Sequence, residues 1–300
     1  MVADFSIYGQ PKVDCHCHVL DPKNFAYADD VRYRPAGQET GTAKYFEQVL
    51  EAYGVQHALL VGPNSGYGTD NRCLLDAIAH GNGRFKGIAV VPHDATLARL
   101  QTLQAGGIVG IAFNFALHGL AHYLAGHSSV TALLGRAADA GMFVQVQAHE
   151  AQLETLAPLL RSCGANVLID HCGRPTVAEG TRGAGFAALL GLAKGGRTSV
   201  KLSGFAKFSN QDYPFADTAV FTNALLDAFG SSHCLWASDW PYLMAASRLD
   251  YGTLLQLFAE TVPHATTRQD ILWNTPMRLF GFAENTASAV AGLSKPKADA

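Results

Sequence analysis

The run Asp14-Cys15-His16-Cys17-His18 sets two imidazoles two residues apart inside an apolar stretch. In a strand, successive side chains alternate between faces, so His16 and His18 would point the same way, about 6–7 Å apart. Imidazoles in that relation can bind a metal ion, or can hold a carbonyl group and a water. The plainer reading is a pair of hydrogen-bonded core histidines. Two further stretches, Val167-Leu168-Ile169-Asp170-His171 and Leu235-Trp236-Ala237-Ser238-Asp239, each end an apolar run on a titratable residue. A carboxylate left without a partner at Asp239 would be costly, which suits a general base or a metal ligand. Four such residues at three strand ends point to one shared site. Cys15 and Cys17 between the histidines suggest a zinc finger only superficially. No second Cys/His pair follows at finger spacing, and a finger would not lie within a strand of a large core.

Eight short runs rich in Val, Ile and Leu must position these groups: residues 12–19, 55–62, 85–92, 107–115, 142–148, 166–171, 198–204 and 234–239. Each is too short for a helix and reads as a fully buried parallel strand. Amphipathic stretches with helix-start and helix-stop signals separate them. Asp70-Asn71 opens residues 72–80 and Gly81 closes them, while Ser128-Ser129 opens residues 130–140 before Gly141. Eight β-then-α units in 300 residues predict an α/β fold, the (β/α)8 TIM barrel. An open doubly wound sheet shares the alternation. However, no G-x-G-x-x-G follows the first strand and no phosphate-loop motif occurs. Residues 1–284 are expected to form a single barrel domain, and residues 285–300 a flexible tail. The long segments 21–42 and 116–127 follow strands one and four, so as loops they would rim the catalytic mouth.

Composition narrows the function classes. With 48% hydrophobic and 16% charged residues, the chain has the makings of a packed core, which excludes disorder. Twenty-two Lys and Arg against 25 Asp and Glu give a net charge of −3 without any basic run, so no nucleic-acid partner is expected. No stretch approaches the ~18 apolar residues of a membrane span, and residues 1–12 lack the pattern of a signal peptide. A cytoplasmic protein acting on a small molecule is expected, with its oligomeric state open. The six cysteines then read as free thiols.

The His-x-His of strand one, the Asp-His-x-Gly-x-Pro after strand six and the Ser-Asp-Trp-Pro of strand eight resemble the amidohydrolase superfamily. More narrowly, they are similar to its amidohydrolase-related branch, which contains 2-pyrone-4,6-dicarboxylate lactonase. The stretches around Tyr67–Asp76, Phe113-Asn114-Phe115, Lys201-Leu202-Ser203-Gly204 and Asn274-Thr275-Pro276 agree, in order, over residues 12 to about 282. The resemblance implies a hydrolase that opens a lactone, or a related ester, of a small organic acid. It makes His16, His18, His171 and Asp239 the catalytic group, with Asp239 as general base toward water and the histidines polarising the carbonyl or positioning the water. Arg174 becomes a carboxylate binder through its planar fork. Asn114, Tyr67, Gln147 and Lys207 join it as substrate contacts.

Superfamily members that bind a metal usually add a strand-five histidine or a carbamylated strand-four lysine. Strand four here has no lysine, and strand five carries Gln145 and Gln147 with His149 one step beyond. No essential cofactor is therefore expected. The alternative is one zinc ion on His16, His18 and Asp239, with His149 as a further ligand, serving a metal-dependent decarboxylase or hydratase of the same superfamily. A barrel that binds a small acid without turning it over is the reading from outside catalysis. One departure bears on substrate: Ala112 stands where dicarboxylate lactonases of this type carry an arginine. That predicts a lactone with fewer or differently placed acidic groups, with His118, Lys207 and Arg72 as compensating candidates.

Overall fold

The computed structural model describes residues 5–124 and 127–283. The segment expected to be a tail, residues 285–300, lies outside the described residues. Eight strands form one parallel sheet in sequential order: β1 Val13–Cys17, β2 His57–Val61, β3 Phe85–Ala89, β4 Ile108–Asn114, β5 Phe143–Gln147, β6 Asn166–Ile169, β7 Thr198–Leu202 and β8 Cys234–Trp236. Helices run between them: α1 Ala43–Ala52, α2 Arg72–His80, α3 Leu97–Ala105, α4 Phe115–His118, α5 Leu120–Leu124, α6 His127–Asp139, α7 Glu150–Ser162, α8 Ala184–Leu192 and α9 Ala219–Phe229. After β8 come α10 Tyr251–Thr261, α11 Ala265–Gln269 and α12 Thr275–Phe280. This is the expected (β/α)8 barrel.

The helices form where apolar spacing and caps agree. Thr42 accepts the Tyr45 N–H at the start of α1, whose Phe46 and Leu50 are buried. Thr96 does the same for Arg99 ahead of α3. Asn71 departs from its expected capping role. Its side chain donates to the Val90 carbonyl at 2.8 Å and accepts the Val90 N–H at 3.1 Å, pinning the start of α2 to the end of β3. Asp70 instead receives the Arg72 N–H. Segment 116–127, expected to be a loop, is largely helical as α4 and α5, and α6 starts at His127 ahead of the serines expected to open it.

Strand faces divide the core in two. One large apolar cluster lies between sheet and helices, and a smaller one fills the barrel floor with Val13, Cys15, Leu59, Ile88, Phe143, Leu168 and Leu235, closed beneath by Phe280 and Phe282. β1 does not run regularly. Its pairing with β2 shifts between Asp14 and Cys17, so that Asp14 opposes Ala58 while Cys17 opposes Leu60. This bulge inserts one residue. Asp14 therefore faces outward to Ser238 and Tyr251, while His16 faces the barrel interior. A strictly alternating strand would have put the two on one face.

β1 ends at Cys17 and β8 at Trp236, so the expected strands 12–19 and 234–239 are both longer than those observed. The ring closes through the segment after β8. Asp239 N–H donates to the His16 carbonyl and His18 N–H to the Trp240 carbonyl, each at 2.8 Å.

Close approach also fixes α8 against α7. A Cβ on Gly185 would stand 1.9 Å from the Glu150 carbonyl oxygen. Gly185→Ala is expected to cost about 1–3 kcal/mol through overpacking, read by urea denaturation. Gly195→Ala, where a Cβ meets nothing within 4 Å, should stay within about 0.5 kcal/mol of the parent. Equal stability of the two variants would refute the contact.

Candidate active site

At the barrel floor, Lys201 of β7 is fully buried, an ammonium among apolar strands. Such a charge persists only when its protons are matched. Its Nζ reaches Gln145 Oε1 at 2.6 Å, Asp170 Oδ1 at 3.0 Å and His16 Nδ1 at 3.2 Å, one acceptor for each proton. Gln145 Nε2 in turn donates to Asp170 Oδ2 at 2.9 Å. His16 Nδ1 also lies 3.2 Å from Asp170 Oδ1, so it accepts from Lys201 in the tautomer that carries the proton on Nε2 and donates to Asp170 in the other.

Two more imidazoles are oriented from behind. His18 Nδ1 lies 2.8 Å from the Val61 carbonyl oxygen, which can only accept, so Nδ1 carries the proton and Nε2 presents a lone pair. His171 Nδ1 lies 3.1 Å from Ser203 Oγ. The backbone of His171 has φ +53° and that of Asp239 φ +63°, both in the left-handed region. Gly204, itself at φ +66°, lets the His171 ring approach where a Cβ would lie 2.6 Å from it.

The three Nε2 atoms converge on one oxygen. Asp239 Oδ1 lies 3.7 Å from those of His16 and His171 and 3.8 Å from that of His18. These gaps exceed a hydrogen bond and match bridging by one small oxygen species or one ion. The other carboxylate oxygen, Oδ2, takes the Lys207 ammonium at 2.8 Å. Burial opposes ionisation of Asp239, but the Lys207 ammonium prevails and holds the carboxyl well below the usual carboxylate range. Burial first, and then the nearby cation Lys201, push His16 well down, and burial does the same to His171. The centre at neutral pH is thus an aspartate anion facing neutral imidazoles.

The site opens into a cavity of about 470 Å³ at the C-terminal ends of the strands, lined also by Asn114, Gln147, His149 and Arg174. Arg174, at φ +47°, holds its guanidinium mostly buried, and its Nε has no hydrogen-bond partner. The segment bearing it is anchored by Glu150, whose N–H donates to the Arg174 carbonyl and whose carboxylate accepts from Thr176 and Phe186 N–H. Asn114 Oδ1 caps the short helix α4 at Leu117. Tyr67 lies apart from this cavity: its hydroxyl accepts the Asp21 N–H and its ring lines a neighbouring one. Arg72 is spent on Asp70 at the surface.

His16, His171 and Asp239 offer ligand atoms within 4.8 Å of one another, a group a metal ion can use. The donor chemistry fits zinc, with the His18 lone pair alongside. His149, the further ligand expected from sequence, is outside this group; it is the exposed N-cap of α7, in a capping box with Gln152. Asp170, Lys201, Gln145 and Ser203 were not singled out as site residues by sequence. The available signal was a lysine inside an apolar strand and polar residues at inward strand positions.

Residues 13–282 match the Amidohydrolase family. A 2-pyrone-4,6-dicarboxylate hydrolase of Comamonas testosteroni is 26% identical, over 89% of each chain. A 4-sulfomuconolactone hydrolase of Rhizobium radiobacter is 30% identical, also over 89% of each. Among solved structures, a probable 2-pyrone-4,6-dicarboxylic acid hydrolase of Acinetobacter baumannii with citric acid bound superposes with TM-score 0.81 at 28% identity, covering 90% of this chain and 99% of that one. The chain belongs to the amidohydrolase family and is a hydrolase.

Lys201→Met would strand Asp170 in the floor and is expected to cost about 3–5 kcal/mol. Adding Asp170→Asn should restore more than half of the loss in urea denaturation. A single-variant cost below about 1 kcal/mol would show that the ion pair does not hold the floor together.

Proposed function

We propose that this hydrolase opens a lactone, or a related cyclic ester, of a small organic acid by attack of water, with Asp239 as general base. The observation that carries the reading is the anionic Asp239 oxygen set 3.7–3.8 Å from three imidazole Nε2 atoms under an open cavity. A water seated there gives one proton to Asp239 and is steered by the His18 lone pair. His16 and His171, each carrying its proton on Nε2 when Lys201 and Ser203 donate hydrogen bonds to their Nδ1 atoms, supply two N–H donors to the carbonyl oxygen as it gains charge. The attacking oxygen bonds to the carbonyl carbon, the ring C–O bond breaks, and the proton returns from Asp239 to the departing oxygen. The products are a carboxylic acid and a hydroxyl group on one chain.

Arg174 and Lys207 supply recognition. No carboxylate among the described residues lies within ion-pair distance of Arg174, so its fork is left for a substrate carboxylate. The names of the relatives point the same way, since both are hydrolases named for pyrone or muconolactone substrates. Six free cysteines, five of them buried, support a reducing cytoplasmic setting. Among the described residues no helix is long and apolar enough to cross a membrane. The family match over residues 13–282 supports one barrel domain.

A zinc ion, when bound, would be held by His16, His171 and Asp239 beside His18 and would polarise the carbonyl as a Lewis acid. The proposal is that hydrolysis does not require one. What supports this is the ligand set: β4 carries no lysine and His149 stands outside the group, while Lys207 already offsets the Asp239 charge through Oδ2. The metal-dependent decarboxylase or hydratase reading draws on the same ligand group.

Aldono-, muconolactone- and pyrone-type lactones are the substrates to assay. Asp239→Asn is expected to lower kcat at least about 100-fold on any lactone the parent opens; undiminished turnover would remove Asp239 as base. Chelation of the purified enzyme should leave activity intact. Stoichiometric zinc, with activity abolished by its removal, would overturn the metal-independent mechanism.

A further inference from the structure

A second cavity, of about 650 Å³, adjoins the first at the barrel mouth. The two share Asn64, Ser65, Ala112, Phe113 and Leu117, so they are lobes of one space. Ala112, on β4, offers only a methyl group at the threshold between them. The side lobe is built chiefly by residues 28–33 and 64–70 of the segments after β1 and β2, the end of β3 and the helices α4 and α5, and none of these lining residues contributes a group to the reacting centre described above.

Its polar lining is a basic strip. His118 and His122 stand with ring centroids 5.1 Å apart, and His122 and His93 with centroids 5.6 Å apart. Arg32 lies beside them, with Nη1 3.4 Å from the Leu117 carbonyl oxygen. Burial, then His122, Arg32 and His93, make protonation of His118 unfavourable, and burial and His122 do the same to His93. Three carboxylates also line the lobe. Asp70 is neutralised by Arg72 at 2.7 Å, Asp94 acts on His93, and Asp30 completes the set. His118 Nε2 has only a 3.4 Å contact to Asn64 Oδ1. An incoming anion would find the Arg32 guanidinium and would itself favour protonation of the imidazoles it meets.

We propose that the side lobe is a specificity subsite, in which Arg32, His118, His122 and His93 receive an anionic arm of the substrate that passes Ala112 while the lactone ring lies over Asp239. The assignment rests on the lactone-hydrolase reading. It fixes the substrate class as a lactone with an acidic substituent on a carbon arm, as opposed to an acid borne directly on the ring. Recognition is split: Arg174 and Lys207 serve the ring end, and the histidine strip serves the arm.

The test compares a γ-lactone carrying a carboxymethyl arm with its methyl ester, in the parent and in the double variant His118→Gln/His122→Gln. The expected result is a roughly tenfold higher KM for the acid in the variant, with kcat unchanged and the ester unaffected. Loss of the same size on both lactones, or on neither, overturns the subsite. Ala112→Leu, which narrows the threshold, should raise KM for both armed lactones and spare the unsubstituted ring; no change on the armed lactones overturns the passage. Calorimetry with tetrahydrofuran-2-acetate, the unhydrolysable cyclic ether with the same arm, separates this proposal from the reaction assignment. If the parent opens no lactone but the ether binds about tenfold more weakly to the double variant, the subsite stands and the lactone-hydrolase reading falls. Equal binding to both proteins overturns the subsite.

Discussion

A sheet of eight strands has two edges, and joining them is the constraint on which this molecule is built. Open edges would leave rows of unpaired N–H and C=O groups. The eighth strand is only three residues long, so the join is made by the residues that follow it. Asp239 and Trp240 bond to His16 and His18 through main-chain atoms, and Asp14 fastens the same segment from outside through Ser238 and Tyr251. The bonds that close the barrel thereby place three of the four central side chains side by side. The carboxylate is held by the same main-chain contacts as the imidazoles it faces.

Beneath that seam lies a layer of charge that the apolar floor tolerates because every proton has a destination. Lys201, Asp170, Gln145 and His16 form a closed set of donors and acceptors. The layer orients His16, and burial together with the Lys201 charge keeps that ring neutral. Lys207 does the converse above it, holding Asp239 in its charged form. Two lysines thus divide the work of setting charge, one below the imidazoles and one beside the carboxylate. Asp14 shows what burial does without a cation: even with several hydrogen bonds its carboxyl is pushed up to about 6.

The architecture was legible in the sequence because a parallel barrel writes each strand as a short apolar run and each helix as a periodic one. His16, His18, His171 and Asp239 were legible because polar residues at the ends of such runs are conspicuous. The bulge in β1 was not, since it depends on pairing with β2 and leaves the composition of the strand unchanged. Nor were the partners of Lys201: His16 lies 185 residues away and Gln145 56, and no local pattern links them. Asn71 looked like a cap by type and position, and a tertiary contact redirected its side chain to Val90. Tyr67, a substrate contact by resemblance, lies outside the central cavity and lines the side lobe, with its hydroxyl on the Asp21 N–H. The side lobe was hidden for a related reason: His118 and His122 are four residues apart, but His93 and Arg32 join them from other segments.

The ring closure has a consequence for descent. The seam is made by main-chain atoms, so it fixes which positions face one another whatever side chains they carry, and the proposed reacting centre is inherited as a set of positions in the architecture. The segments around the side lobe hang outside that seam and join strands whose pairing does not depend on them. Insertions, deletions and substitutions there can accumulate while the hydrolytic centre stays in place. A lineage built on this frame is free to diversify in what it accepts and conservative in what it does to it.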